Sequence, residues 1–221
     1  MSIKNNISHI LSAMPKDVHL IAVTKTRNVQ EIKEAYDFGL RDFGENKVQE
    51  LVNKYDEFDE SVRWHLIGHL QRNKVKYIVG KVYLIHSLDS VKLLDELEKQ
   101  FALKGLNAEV LIEINIGREV NKTGILLEEL EELLVECEKC NNVKVKGLMT
   151  VLPICSAEEQ REYFKKIKSI WDLLSEKPYK NIQMLFLSMG MTGDYNTAIL
   201  EGSNMIRIGE GIFGKRNYNK V

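Results

Sequence analysis

Residues 19–39 read HLIAVTKTRNVQEIKEAYDFG, and the two halves keep different rhythms. Leu20 to Val23 are apolar without alternation, the pattern of a strand covered on both faces. The second half sets Val29, Ile32, Ala35 and Tyr36 on one face of a helix and charges on the other. A buried strand followed by an amphipathic helix is half of a parallel βαβ unit. Yet this strand ends on Thr24 and then Lys25. Either the chain has simply reached solvent there, or the strand delivers an amine into a site.

The same beat runs along the chain. Strand-like runs lie at residues 19–25, 41–46, 63–68, 82–88, 108–116, 143–151, 182–190 and 204–214. Between them lie helix-period segments. In one, Val91, Leu94, Leu97 and Phe101 recur at helical spacing before Gly105. Another opens on Ser156 with Glu159 three residues later, a capping box. Unbroken alternation implies parallel strands joined by right-handed crossovers. Eight such units can lie open as a doubly wound sheet or close into a barrel, and eight is the closing number. No G-x-G-x-x-G follows the first strand, which removes support for the dinucleotide-binding open sheet. The expected fold is α/β, a single (β/α)8 TIM-type barrel over residues 1–221 with an extra N-terminal helix.

Composition narrows the function. With 221 residues, 44% hydrophobic and 29% charged, the chain has the balance of an ordinary globular protein. The 31 Lys and Arg against 32 Asp and Glu speak against a nucleic-acid binder that relies on bulk basicity. No apolar run reaches membrane-spanning length, and residues 1–17 lack the apolar core of a secretory signal. Three cysteines make no disulfide framework, so the cytoplasm is the expected setting. Cys137 and Cys140 form a C-x-x-C at the end of a charged helical run, where a redox motif would instead open a helix. No interface signature stands out, and a monomer is expected.

Active sites of barrels gather at the C-terminal ends of the strands. Those ends carry Lys25, Glu45, Asn46, Gly68, His69, Ser87, Asn115, Met149, Thr150, Ser188, Met189, Gly190, Arg207 and Gly209. The last two units are richest in glycine, with Gly190, Gly193, Gly209 and Gly211. Each segment alone reads as a tight turn. Both together, beside Ser188 and Arg207, suggest a phosphate site, with Asp194 capping the helix that follows. Arg207 sits in the apolar run NMIRIG, where an unpaired guanidinium would be costly. It faces either a salt bridge to Glu45 or Glu113, or a ligand. A lysine across the mouth from a phosphate site suits an imine with a phosphorylated aldehyde. Pyridoxal 5′-phosphate matches, since it needs an imine lysine, a phosphate cradle and a partner for its pyridine nitrogen.

The segments AVTK, FGENKVQEL, WHLIGHLQRNK, HSLDS, INIGREVNKTG, VKGLMTV and LSMGMTGDYNTAILEGSNMIRIGEGIFG cover the chain almost end to end. Together they resemble the pyridoxal-phosphate homeostasis protein (YggS/PROSC) family, whose barrel is similar to that of alanine racemase. The resemblance implies that Lys25 holds the cofactor as an internal aldimine and that Arg207 faces the pyridine nitrogen. It implies that Ser188 and the backbone around Gly209 and Glu210 hold the phosphate, while Asn46, Met149 and Met189 line the ring. Thr192 stands where a serine is common. Glu210 stands where a small or hydroxyl residue is common, so its N–H rather than its side chain would serve the phosphate.

An arginine at the pyridine nitrogen leaves the ring a weaker electron sink, and racemases of this fold compensate with a second base from an additional β domain. Here only KRNYNKV follows Gly214. His65 reads as a packed strand histidine and His69 as a fairer candidate base, and their spacing straddles a strand end, which speaks against a shared metal. The first expectation is therefore a carrier or regulator in intracellular cofactor homeostasis, acting without sustained turnover, with cofactor-dependent apo-enzymes as candidate partners. A low-activity racemase or decarboxylase is the alternative, and a Schiff-base aldolase the third class. Residues 117–124, with Lys122, are a candidate cover for the mouth.

Overall fold

The computed structural model describes residues 2–215. Eight parallel strands close into a barrel in sequential order. They are β1 (His19–Val23), β2 (Asp42–Glu45), β3 (Arg63–Leu66), β4 (Leu84–Leu88), β5 (Ala108–Ile114), β6 (Val143–Thr150), β7 (Ile182–Ser188) and β8 (Met205–Ile208). Closure is made by β1 against β8, where Ile21 lies opposite Arg207 and Ala22 opposite Ile208.

The helices are α1 (Ile3–Ala13), α2 (Val29–Phe38), α3 (Val48–Tyr55), α4 (Val91–Ala102), α5 (Leu130–Lys139), α6 (Ala157–Ser175), α7 (Tyr195–Leu200) and α8 (Glu210–Phe213). The expected extra helix is α1, capped by Ser2 and packed against α2 and α8. The capping box forms at α6, where Ser156 and Glu159 exchange hydrogen bonds. A second capping box, Asn28 with Glu31, starts α2.

Two segments differ from expectation. Between β3 and β4 the chain makes only a 3-10 turn, Arg72–Tyr77, in place of an amphipathic α-helix. The run 204–214 is not one strand: β8 ends at Ile208, and residues 210–213 turn into α8. Its apolar composition hides the break, and the glycines at 209 and 211 cause it. A Cβ at Gly211 would lie 2.8 Å from Ile208 Cγ2 and 3.3 Å from Thr192 Cγ2, too close for any other residue to make this turn without a shift.

The main apolar core lies between strands and helices, with Ala22, Phe43, Trp64, Leu66, Val110, Leu148, Leu187 and Ile208 on the outward strand faces. The barrel interior holds a smaller apolar layer of Ile21, Leu84, Leu111, Met149 and Met205. Above and beside that layer the interior is polar, which is where function enters.

Candidate functional site

Lys25 follows β1, half-buried, on the wall of a cleft of about 370 Å3 at the C-terminal end of the barrel. Val23, Asn46, Ile67, Val151, Arg207, Gly209 and Glu210 line the same cleft, and the loop after β7 adds Met191, Thr192 and Gly193. Alternation along each strand explains the set. Val23 lies two residues beyond Ile21, and Gly209 two beyond Arg207, so each continues an inward-facing row to the rim.

A clamp below Lys25 fixes its strand end. Glu45, fully buried, points outward from β2 toward α3, accepting from Thr24 Oγ1 at 2.6 Å and from Lys54 Nζ at 2.6 Å. Lys54 also donates to the Thr24 carbonyl at 3.0 Å. Thr24 is thereby tied to α3, and on the other side of Lys25 Thr26 N donates to Glu50 Oε2 of the same helix at 2.8 Å, with Thr26 at φ +63° turning the chain away. Burial pushes the Glu45 carboxyl up, against the pull of Lys54.

Arg207 lines the cleft while itself only 3% exposed. Its Nη1 donates to Ser188 Oγ at 2.6 Å and its Nη2 to the Thr150 carbonyl at 2.8 Å. Burial brings the guanidinium down to about 10, still charged near neutral pH. Of the two alternatives for Arg207, the salt bridge to Glu45 or Glu113 does not form: Glu45 is taken by Lys54, and Glu113 accepts from Thr123 at 2.8 Å. Just after β2, on the other side of β1 from Arg207, Asn46 Oδ1 is buried without a hydrogen-bond partner from the protein. At the rim, Gly211 N donates to Thr192 Oγ1 at 3.2 Å, joining the loop after β7 to the start of α8.

Of the eight residues expected at the site, Lys25, Asn46, Arg207, Gly209 and Glu210 line the cleft together. Ser188, Met149 and Met189 do not. Ser188 Oγ lies beneath it, between Arg207 and His86. Met149 packs in the interior apolar layer one level lower, and Val151, two residues on, takes the cleft position. Met189 is turned outward into the strand–helix core by the alternation of β7. Asp194 stands at the N-cap of α7, but its carboxylate accepts from Met191 N rather than from the helix.

The other candidates lie elsewhere. His69 pairs with Asp89 at 3.0 Å in a separate surface pocket, and His65 is buried inside the barrel. Lys122 pairs with Glu119 and donates to the Leu152 carbonyl, away from the cleft lining. Cys137 and Cys140 are buried, and burial raises both thiols, that of Cys140 to about 11.

Residues 1–217 match the family model described as alanine racemase, N-terminal domain. A pyridoxal phosphate homeostasis protein of Aquifex aeolicus is 44% identical over 201 residues, 90% of this chain and 87% of that protein. The chain belongs to the pyridoxal phosphate homeostasis protein family. The structure of PipY of Synechococcus elongatus PCC7942, with PLP bound, superposes with a TM-score of 0.89 at 31% identity, covering 96% of this chain and all of that one. An alanine racemase of Clostridium difficile 630 shares the fold at 15% identity and a TM-score of 0.78, and this chain covers 61% of it. Family membership places the Lys25–Arg207 cleft in a barrel type for which a cofactor-bound relative exists.

Two parts of the site escaped the reading of the sequence. The Glu45–Lys54 clamp had a faint signal, a glutamate in the otherwise apolar end of β2 with a lysine nine residues on. His86 had a clearer one, an imidazole inside the apolar run VYLIHSL, the same anomaly that drew attention to Arg207.

Proposed function

We propose that this chain binds pyridoxal 5′-phosphate in the Lys25–Arg207 cleft and serves intracellular cofactor homeostasis as a holder without sustained turnover. The observation that carries the reading is the pairing in one cleft of a half-buried lysine and a deeply buried, hydrogen-bonded arginine. When bound, the cofactor supplies an aldehyde that condenses reversibly with amines and a ring that draws electrons from the attached group. Lys25, tethered by the clamp at Thr24, offers the amine. Arg207 can only donate hydrogen bonds, so it suits an unprotonated ring nitrogen. Asn46 Oδ1 offers an acceptor that the protein itself does not use. Thr192, Gly193, Gly209 and Glu210 form the rim that suits a phosphate. Ser188 acts from below, through Arg207.

The lining favours holding over turnover. Besides Lys25, its titratable groups among the described residues are Arg207 and Glu210, and His69 opens into a different pocket. Among the described residues, no imidazole, thiol or phenol lines the cleft to serve as a second base. Action as a monomer is part of this reading. The partners such a role requires are apo-enzymes that use the cofactor. Among the described residues no helix is long and apolar enough to cross a membrane, and a cytoplasmic setting is proposed.

The test is the visible spectrum of the protein titrated with pyridoxal phosphate, followed by borohydride reduction and peptide mapping. A pyridoxyl adduct on Lys25 that is absent in Lys25→Ala is expected. A colourless protein without adduct would sink the reading. Saturable α-proton exchange on alanine in D2O, lost in Lys25→Ala, would replace the holder with a racemase-like enzyme.

A further inference from the structure

Five polar side chains, one from each of β2, β3, β4, β7 and β8, form a continuous hydrogen-bonded chain through the barrel, and only the last reaches the cleft. From Arg207 the contact passes to Ser188 Oγ at 2.6 Å, and from Ser188 Oγ to His86 Nδ1 at 3.1 Å. His86 Nε2 lies 3.0 Å from His65 Nδ1, and His65 Nε2 lies 3.1 Å from Asp42 Oδ1. Asp42, at the opposite mouth of the barrel, is held by Arg63 through two contacts of 2.6 and 2.5 Å. Ser188, His86, His65 and Arg207 are all buried.

The direction of each hydrogen follows from the two ends. A guanidinium only donates and a carboxylate only accepts. Ser188 accepts from Arg207 and gives its single hydroxyl hydrogen to His86 Nδ1. His86 therefore carries its proton on Nε2 and donates to His65 Nδ1, and His65 donates through Nε2 to Asp42. The reverse order would set a lone pair of His65 against a carboxylate. Burial alone would raise Asp42, but the hydrogen bonds from His65 and Arg63 outweigh it and hold the group at about 2. Both imidazoles stay neutral because burial lowers them. For His65 the neighbouring Arg63 and His19 add to that effect and Asp42 opposes it. For His86 the added neighbours are His65 and Arg207, and Arg207 itself feels Asp194 and Glu113.

We propose that Asp42, His65, His86 and Ser188 are positioning residues, a one-way hydrogen-bond chain that holds the Arg207 guanidinium in its orientation toward the cofactor cleft. The inference rests on the cleft being the pyridoxal-phosphate site. A long side chain with many rotamers becomes a fixed donor, and a supporting network of this kind tunes the group it holds. Asp42 thereby acts on the cleft from the far mouth of the barrel.

Two measurements test it. Nitrogen-15 NMR of the histidine side chains in the cofactor-free protein should show both His65 and His86 neutral and protonated on Nε2 near neutral pH. Asp42→Asn, which replaces an obligate acceptor with an amide, should mix the tautomers. Titration with pyridoxal phosphate should then show Ser188→Ala and Asp42→Asn binding about tenfold more weakly, the scale of one charge-assisted hydrogen bond. The absorption band of the bound cofactor should shift in both. Ile85→Val, on the outward face of β4, should change neither. An Nδ1-protonated or charged histidine in the wild type overturns the chain, and so do variants that bind and absorb as the wild type does. A wild type that binds no cofactor overturns the functional reading, and this inference with it.

Discussion

Replacing Lys54 with methionine should destabilise the fold strongly, and more so in alkali than in acid. Lys54 is almost fully buried and is the cationic partner of Glu45, which has no exposed surface. One Glu45 oxygen already lacks a partner, while the other is shared between Lys54 and Thr24. Removing the ammonium leaves a buried carboxylate with a single hydroxyl donor, and the Thr24 carbonyl loses its bond as well. Breaking a buried pair by removing one partner costs about 3–5 kcal/mol. That is a large share of the roughly 5–15 kcal/mol by which a typical domain is stable.

The pH dependence has a definite sign. Burial already raises Glu45 above its ordinary 4.5, and the first opposing influence is Lys54. Without Lys54 the folded-state carboxyl rises further while the unfolded one stays put. A carboxyl raised by folding penalises the native state above its folded pKa and not below its unfolded one. The loss in Lys54→Met should therefore be largest at pH 8 and shrink as the pH falls toward 4.5. Urea unfolding at both pH values measures it. The double variant Glu45→Leu with Lys54→Met should recover most of the loss, since apolar replacement of a buried pair is often neutral or better. A Lys54→Met protein within about 1 kcal/mol of wild type, or equally destabilised at both pH values, would show that the pair carries no such load.

Gly211→Ala should weaken cofactor binding and cost about 1–3 kcal/mol, because its Cβ would meet Ile208 at 2.8 Å and push the Thr192 loop from the rim; thermal melts and a titration read both. Asn181→Ala should cost about 2 kcal/mol in urea unfolding, since the buried amide donates to the carbonyls of Glu138 and Cys140 at the end of α5 and accepts from Lys144. Alkylation with iodoacetamide at pH 8 should mark Cys155 first. Cys137 and Cys140 should react only on unfolding, because burial keeps both thiols protonated and covered.

The barrel was legible because its signal is repetition. Eight apolar runs at regular intervals leave few topologies, and no single boundary matters, so reading 204–214 as one strand did no harm to the architecture. The cleft was legible at strand ends whose residues break an apolar run with a group that is costly to bury, as Lys25, Asn46 and Arg207 do. Met149, Ser188 and Met189 fall outside the cleft lining for a different reason. A strand end names a level in the barrel but not a face, and β6 carries an irregular register near Gly147 that shifts the count. One residue of phase turns Met189 into the outer core, and two residues of height put Val151 in place of Met149.

The interior explains why the connections left unread in the sequence cluster where they do. A TIM barrel can fill its centre with branched aliphatic side chains, and this one does so only in the layer of Ile21, Leu84, Leu111, Met149 and Met205. Next to that layer it buries two imidazoles, a hydroxyl and a guanidinium, a choice that stability alone does not favour. Each of these groups is tolerable only because the next accepts or donates what it requires, so the set must be kept or lost together. Arg207 pointed to a ligand by its anomaly in sequence, and by the same logic His86 and His65 point to Arg207. A polar residue in a buried strand is thus informative twice, first as a sign of function and then as a demand for a partner on a neighbouring strand. Following that demand from Arg207 through Ser188, His86 and His65 leads to Asp42, a residue that no inspection of the cleft would have selected.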